Sequence, residues 1–207
     1  MVQQVKRTVC NSLPYQYNRS MEILTPRLRL REFLPTDVNA VLRYQNDPEY
    51  LKFYEWESRT PLEVQEFIGL FIDWQQEEPR SRYQLAIVLR QSGKLIGNVG
   101  IRQMSVISSE AELGYELDPQ YWGLGYASEA TQAMIDFAFN TLGVLSISAI
   151  VIAENQRAQN VIERLGMRLI DRYHANQYFK GRWWDTLSYV LSESDWIPNH
   201  PDTRKII

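Results

Sequence analysis

The stretch Gln120-Tyr121-Trp122-Gly123-Leu124-Gly125-Tyr126-Ala127-Ser128-Glu129-Ala130 puts two glycines one residue apart at the start of a helical pattern. A strand-like run ends just before it at Asp118, and Pro119 separates the two. The first turn of a helix carries backbone N–H groups without internal partners, and the helix dipole adds partial positive charge there. Glycines remove the Cβ atoms that would hold an anion away, so the stretch suits a phosphate bound by backbone rather than by lysine. A tight strand-to-helix connection uses the same residues, since glycine is the default turn residue. Two familiar phosphate motifs are absent. Nothing matches Gly-x-x-x-x-Gly-Lys-Ser/Thr, and Ser128 stands where Gly-x-Gly-x-x-Gly needs its third glycine.

The elements around this stretch alternate in type. Ile23 to Phe33 alternates apolar and charged residues, as a half-buried strand does, with Pro26 at its early edge. Thr36 or Asp37 caps a predicted helix carrying Val38, Val41, Leu42 and Tyr44, which Asn46-Asp47-Pro48 ends. Glu49 to Arg59 is aromatic-rich and has no period. Thr60-Pro61 opens a helix whose apolar stripe is Val64, Phe67, Ile68, Phe71, Ile72 and Trp74. Tyr83 to Leu89 and Lys94 to Ile101 form a hairpin about Gln91-Ser92-Gly93, and Gly97 and Gly100 predict a bulge or a close backbone approach.

Ala111 to Asp118 alternates again, with Leu113, Tyr115 and Leu117 on one face and Glu112 and Glu116 on the other unless Gly114 marks a bulge. A helix from near Leu124 to about Asn140 follows. Leu145 to Ile152 reads as a strand buried on both faces. Asn155 caps a further helix with Ala158, Val161, Ile162 and Leu165 inside and Gly166 at its end. Met167 to Tyr173 and Trp183 to Leu191 are the closing strands. The order predicts one α+β domain over residues 21–197, with tails at 1–20 and 198–207.

Composition limits the function. The chain has 207 residues, 44% hydrophobic and 23% charged, with net charge −3, which suits a soluble globular domain. No dense Lys/Arg run points to nucleic acid. No stretch approaches the roughly 20 apolar residues of a membrane span, and the first residues lack the apolar core of a signal peptide. A cytoplasmic protein is the expectation. The single cysteine, Cys10, excludes an internal disulfide and a cysteine metal site. His174 and His200 are too few for a metal cluster and read as surface or loop residues. No metal is expected.

Several separate motifs resemble one family, the GCN5-related N-acetyltransferase superfamily. Gln120, Gly123 and Gly125 match its Gln/Arg-x-x-Gly-x-Gly/Ala turn. Tyr121 to Ala130 resembles the branch that acetylates ribosomal-protein N-termini (RimJ/RimL-like), as do Leu24-Thr25-Pro26-Arg27-Leu28-Arg29-Leu30-Arg31, Glu112-Leu113-Gly114-Tyr115, Asn155 to Met167, and Trp184-Asp185 through Tyr189 to Trp196. Order and spacing agree from about residue 22 to 196. The resemblance implies a strongly twisted, mixed but mostly antiparallel sheet of about seven strands, with helices on both faces and splayed fourth and fifth strands.

The resemblance also implies acetyl-CoA as cosubstrate and a primary amine as acceptor, a protein N-terminus or a small molecule, with a monomer or homodimer as the assembly. The backbone of Gly123, Leu124, Gly125, Tyr126 and Ala127 would hold the pyrophosphate, with Gln120 beside it. Glu116 and Leu117 would pair with the pantetheine through their backbone, and Asn155 would hydrogen-bond it. Direct transfer needs a neutral amine. An N-terminal amine, with a reference pKa of about 8, needs modest help, and a lysine near 10.4 needs more. Glu112 is the candidate base, Glu116 the reserve, and a solvated carboxylate the other reading of Glu112. The family's Asn-x-x-Ser reads Asn155-Gln156-Arg157-Ala158, and Ile162 stands where some relatives carry a tyrosine. Both hydroxyls are therefore missing, leaving water, Tyr126 or Tyr115 to protonate the thiolate. A CoA-binding sensor or scaffold without transferase activity is the alternative. Phe53, Tyr54 and Trp56 read as core or as a wall for the acceptor.

Overall fold

The computed structural model describes residues 21–196. The two tails, with Cys10 and His200, lie outside the described residues. The strands are β1 (Glu22–Leu24), β2 (Leu28–Glu32), β3 (Arg82–Leu89), β4 (Leu95–Gln103), β5 (Glu110–Leu117), β6 (Ser146–Ile152), β7 (Arg168–Phe179) and β8 (Arg182–Ser192). They form one sheet in the order β1-β2-β3-β4-β5-β6-β8-β7, parallel only between β5 and β6. Eight strands stand where about seven are expected. Thr25-Pro26-Arg27 breaks the first predicted strand, and β1 folds back antiparallel on β2. The expected fourth and fifth strands are thus β5 and β6.

That pair opens into a V. β5 and β6 pair only at Glu110↔Ser146, Ala111↔Ile147 and Glu112↔Ser148. Beyond Glu112, β5 keeps its β4 partner but diverges from β6. An edge of unpaired backbone is thereby left facing the gap, and such an edge can pair with an extended ligand. β6 is not buried on both faces as its apolar run predicts: Ile150 is 59% exposed because it faces the V.

The helices are α1 (Val38–Gln45), α2 (Pro48–Leu51), α3 (Pro61–Trp74), α4 (Tyr126–Phe137), α5 (Gln156–Arg164) and α6 (Glu193–Trp196). They cover both sheet faces. Alternation along β3 shows the division: Leu85 and Ile87 join the core layer that holds Ala130 and Met134 of α4, whereas Ala86 and Val88 join the layer of α1 and α3. Thr60 and Glu63 form a capping box at the start of α3, as Thr60-Pro61 predicts. Asp37 does not cap α1 with its side chain; its carboxylate accepts from Leu34 N and binds Arg31 through both oxygens, at 2.7 and 2.8 Å. The helix after the glycine turn begins at Tyr126, two residues later than expected, because Gly123 and Gly125 both hold positive φ. β7 runs on to Phe179, past the expected end at Tyr173, with register shifts on the way. No described helix is long and apolar enough to cross a membrane.

Candidate active site

Gly123 and Gly125 have φ of 75° and 80°, and Gly125 is the N-cap of α4. The turn comes straight off β5 through a short 3-10 segment, Pro119–Tyr121, in which Asp118 accepts from Gln120 N. It presents the free N–H groups of the first turn of α4 to one end of the V.

A clamp that the sequence reading did not identify fixes this turn. Arg27, in the bend between β1 and β2, donates from Nε to Glu129 Oε2 at 2.6 Å and from Nη1 to the carbonyl of Leu124 at 2.9 Å. Its backbone N and Thr25 Oγ1 both donate to Glu129 Oε1, at 2.8 and 2.6 Å. The guanidinium lies 4.4 Å from the centre of the Tyr126 ring. Burial by itself would raise the pKa of Glu129. The hydrogen bonds from Thr25 and Arg27, with the Arg27 charge, outweigh it and hold this carboxyl below its ordinary value. Arg27 therefore spans the turn and adds positive charge beside the helix N-terminus. Arg27→Ala is expected to weaken acetyl-CoA binding about tenfold, the loss of one charge-assisted contact set, measured by calorimetric titration; unchanged affinity would remove Arg27 from the site.

The V and the surface beside it form a cleft of about 1030 Å³. Glu112, Glu116, Leu117, Gly123, Gly125, Tyr126, Ala127 and Asn155 line it, as do Tyr115, Ala158 and Ile162. Gln120 and Leu124 do not. Gln120 is exposed on the turn, and Leu124 reaches the site only through the carbonyl held by Arg27. Asn155 Oδ1 accepts from Ala158 N at 3.1 Å, the expected N-cap. Leu117 O accepts from the Trp122 indole at 2.9 Å, so part of the strand backbone assigned to pantetheine is already engaged.

The two carboxylates of β5 differ. Gly114 pairs with Gly100 in regular register, so no bulge separates Glu112 from Glu116 and both side chains leave the same face. The Glu112 side chain is 55% exposed and pairs with Arg102 at 3.3 Å. Glu116 sits on a built polar floor. Its Oε2 accepts from Asn98 Nδ2 at 2.8 Å, Gln45 Nε2 at 3.0 Å and Tyr44 Oη at 3.1 Å. Asn98 in turn accepts from Gln84 Nε2 at 2.6 Å. Burial, and after it the Glu116 charge, raises the pKa of Tyr44, Tyr50 and Tyr54 well above the ordinary phenol value. Burial does the same to Tyr115. All four stay protonated at neutral pH. Tyr50 stacks on Tyr54 at 4.4 Å and Tyr54 on Trp56 at 4.7 Å, an aromatic wall beside this floor. Tyr54 is thus both core and cleft wall and Phe53 lines the cleft, whereas Trp56 packs on the core outside the cleft with Arg59 over its ring. The signal for the floor was present: Gln84 and Asn98 are polar residues inside apolar strands, and buried polar groups are hydrogen-bonded.

His174 is exposed on β7, outside the cleft, with Nδ1 3.1 Å from Asp185 Oδ2. The N–H of Ala175 and the side chain of Arg172 hold Asp185 down to about 2.

Comparison with known proteins agrees with this fold. The model of the acetyltransferase (GNAT) domain matches residues 27–168. An uncharacterised N-acetyltransferase p20 of Bacillus licheniformis is 29% identical over 178 residues, 85% of this chain and 99% of that protein. Among solved structures, a ribosomal alpha-N-protein acetyltransferase in complex with coenzyme A superposes with a TM-score of 0.75 at 18% identity, covering 84% of this chain and 99% of that one. A spermidine N-acetyltransferase from Vibrio cholerae, in complex with CoA and spermine, gives 0.70 at 20% identity, covering 82% and 98%. At those identities the two structural likenesses are of fold. The chain belongs to the GNAT family of N-acetyltransferases, enzymes that use acetyl-CoA.

Proposed function

We propose that this protein moves the acetyl group of acetyl-CoA directly to a primary amine, either a protein N-terminus or a small-molecule amine. The observation that carries the reading is the V between β5 and β6 ending on the clamped turn of Gly123 and Gly125. In this reading the N–H groups of Gly123 to Ala127 hold the pyrophosphate, the free edge of β5 at Glu116 and Leu117 pairs with pantetheine, and Asn155 binds the same arm. Gln120 shapes the turn from outside. The face of β5 that carries Glu112 and Glu116 meets the acceptor, and one of these carboxylates takes its proton. Tyr126 and Tyr115 line the same segment and are the candidate acids for the departing thiolate, since Ala158 and Ile162 offer none. The two structural relatives described above act on a ribosomal protein and on spermidine by their titles, and both acceptor types stay within the proposal.

Thermal unfolding with acetyl-CoA, against ADP and ATP, tests the site. At a hundredfold excess over Kd the ligand adds roughly 2.7 kcal/mol, on the order of 5–10 °C for a domain of this size. A rise with acetyl-CoA and little with ATP is expected. A rise with ATP alone would contradict the reading.

A further inference from the structure

Glu116 is a carboxylate without a counter-ion. Its three hydrogen-bond donors, Asn98, Gln45 and Tyr44, are neutral, and all of them reach Oε2. Among the described residues no donor reaches Oε1 and no cation pairs with the side chain. Half-burying a charge without a counter-ion is costly, and an ionisable group kept in a cleft at that cost is a candidate for function. Glu112 contrasts on each point, being exposed and already balanced by Arg102. The surroundings of Glu116 suit a charged amine: Phe53 and Tyr54 line the same cleft and give its apolar body a surface to pack on while the carboxylate meets its charge.

We propose that Glu116 is the dock for the acceptor's ammonium group and the base that takes its proton, with Tyr44, Gln45 and Asn98 as positioning residues. The proposal rests on reading the cleft as an acetyl-CoA site. Holding all donors on Oε2 leaves Oε1 to face the amine. An N–H bond of the ammonium breaks and an O–H bond forms on Glu116 Oε1, leaving a lone pair on nitrogen. That pair forms the C–N bond at the thioester carbonyl, and the C–S bond breaks with its electrons on sulfur. The nitrogen's second proton goes to the thiolate, and the Glu116 proton returns to water as product leaves. The acceptor is therefore an amine that arrives charged.

The titratable groups facing Glu116 are the phenols of Tyr44 on α1, Tyr50 on α2 and Tyr54 just after it, and Glu112, paired with Arg102, leaves the same face of β5. The phenols remain neutral through the working range, so a change in the acid limb of the rate on removing the Tyr44 hydroxyl reports the carboxylate that hydroxyl reaches. Removing a donor from a charged carboxylate raises its pKa.

Acceptor-dependent thiol release is measured with acetyl-CoA and three amine probes: benzylamine at high concentration, a tripeptide with a free N-terminus, and spermidine. Glu116→Gln is expected to lose about 100-fold or more in turnover, the range of general-base catalysis, and to keep the melting shift with acetyl-CoA. Glu112→Gln is expected to lose far less than Glu116→Gln, and Glu110→Gln, exposed at the start of β5 and outside the cleft, is expected to stay within a few-fold of wild type. Tyr44→Phe removes one donor, keeps the ring, and is expected to move the acid limb of kcat/KM to higher pH with KM for acetyl-CoA unchanged. Should Glu116→Gln fail to fold, the Tyr44→Phe profile decides. An unmoved acid limb, or a Glu112→Gln loss matching that of Glu116→Gln, overturns the assignment. Wild-type protein that fails to bind acetyl-CoA overturns the underlying reading of the cleft instead.

Discussion

Gly125→Val is expected to abolish the acetyl-CoA-dependent rise in melting temperature while the unliganded protein still folds. Gly125 holds φ of 80° at the N-cap of α4. An L-residue there costs roughly 1–2 kcal/mol, and a β-branched one crowds further. An added Cβ would lie 3.3 Å from Arg27 Nη2, the guanidinium that ties the turn to β1 and β2. The branch would also occupy the side from which an anion must approach the helix N–H groups. The strain is local, because Gly125 is exposed and outside both core layers. Calorimetric titration with acetyl-CoA checks the prediction, and affinity equal to wild type would move the phosphate site elsewhere.

The second large effect is expected at Gly97. A Cβ there would lie 2.2 Å from the carbonyl oxygen of Glu116 and 2.9 Å from Leu117 Cα. Both atoms are backbone, so neither can rotate away. Gly97→Ala must push β5 from β4, and overpacking of this kind costs about 3 kcal/mol at the upper end of its usual range. The melting temperature is expected to fall by roughly 6–12 °C. The displaced atoms carry Glu116, so acceptor turnover falls in the surviving folded fraction as well. Gly69→Ala is the control: it lies within α3 with nothing within 4 Å of an added Cβ, and alanine is the better helix former. A Gly97→Ala protein as stable as Gly69→Ala would show that the β4–β5 approach is not tight.

Much of this arrangement was legible because local chemistry and tertiary role agree. Thr60-Pro61 reads as a helix start and is one, since its capping groups are all within four residues. Gly97 and Gly100 signal close approach, and the backbone of β5 and the side chain of Gln84 supply it. Elsewhere long-range contacts decide. Pro26 marks only an edge in the predicted strand, but a turn that splits it forms there, with Thr25 and Arg27 held on Glu129, about a hundred residues along the chain. Local capping rules point Asp37 at α1, and the partially buried Arg31 takes it instead. The apolar run Ser146–Ile152 cannot say that its partner strand departs after three pairs. The β5 carboxylates look alike in sequence. Only the fold brings Gln45 and Asn98 under one and Arg102 beside the other.

The most direct test of the central claim is acceptor-dependent release of free CoA thiol from acetyl-CoA by the wild-type protein, with the acylated amine identified by mass spectrometry. The account predicts thiol release above the acceptor-free rate with at least one of the tripeptide, spermidine and benzylamine, and one acetyl group on the amine for each thiol released. Tight acetyl-CoA binding with no amine-dependent thiol release would contradict it, and would make the cleft a CoA-binding site without transfer.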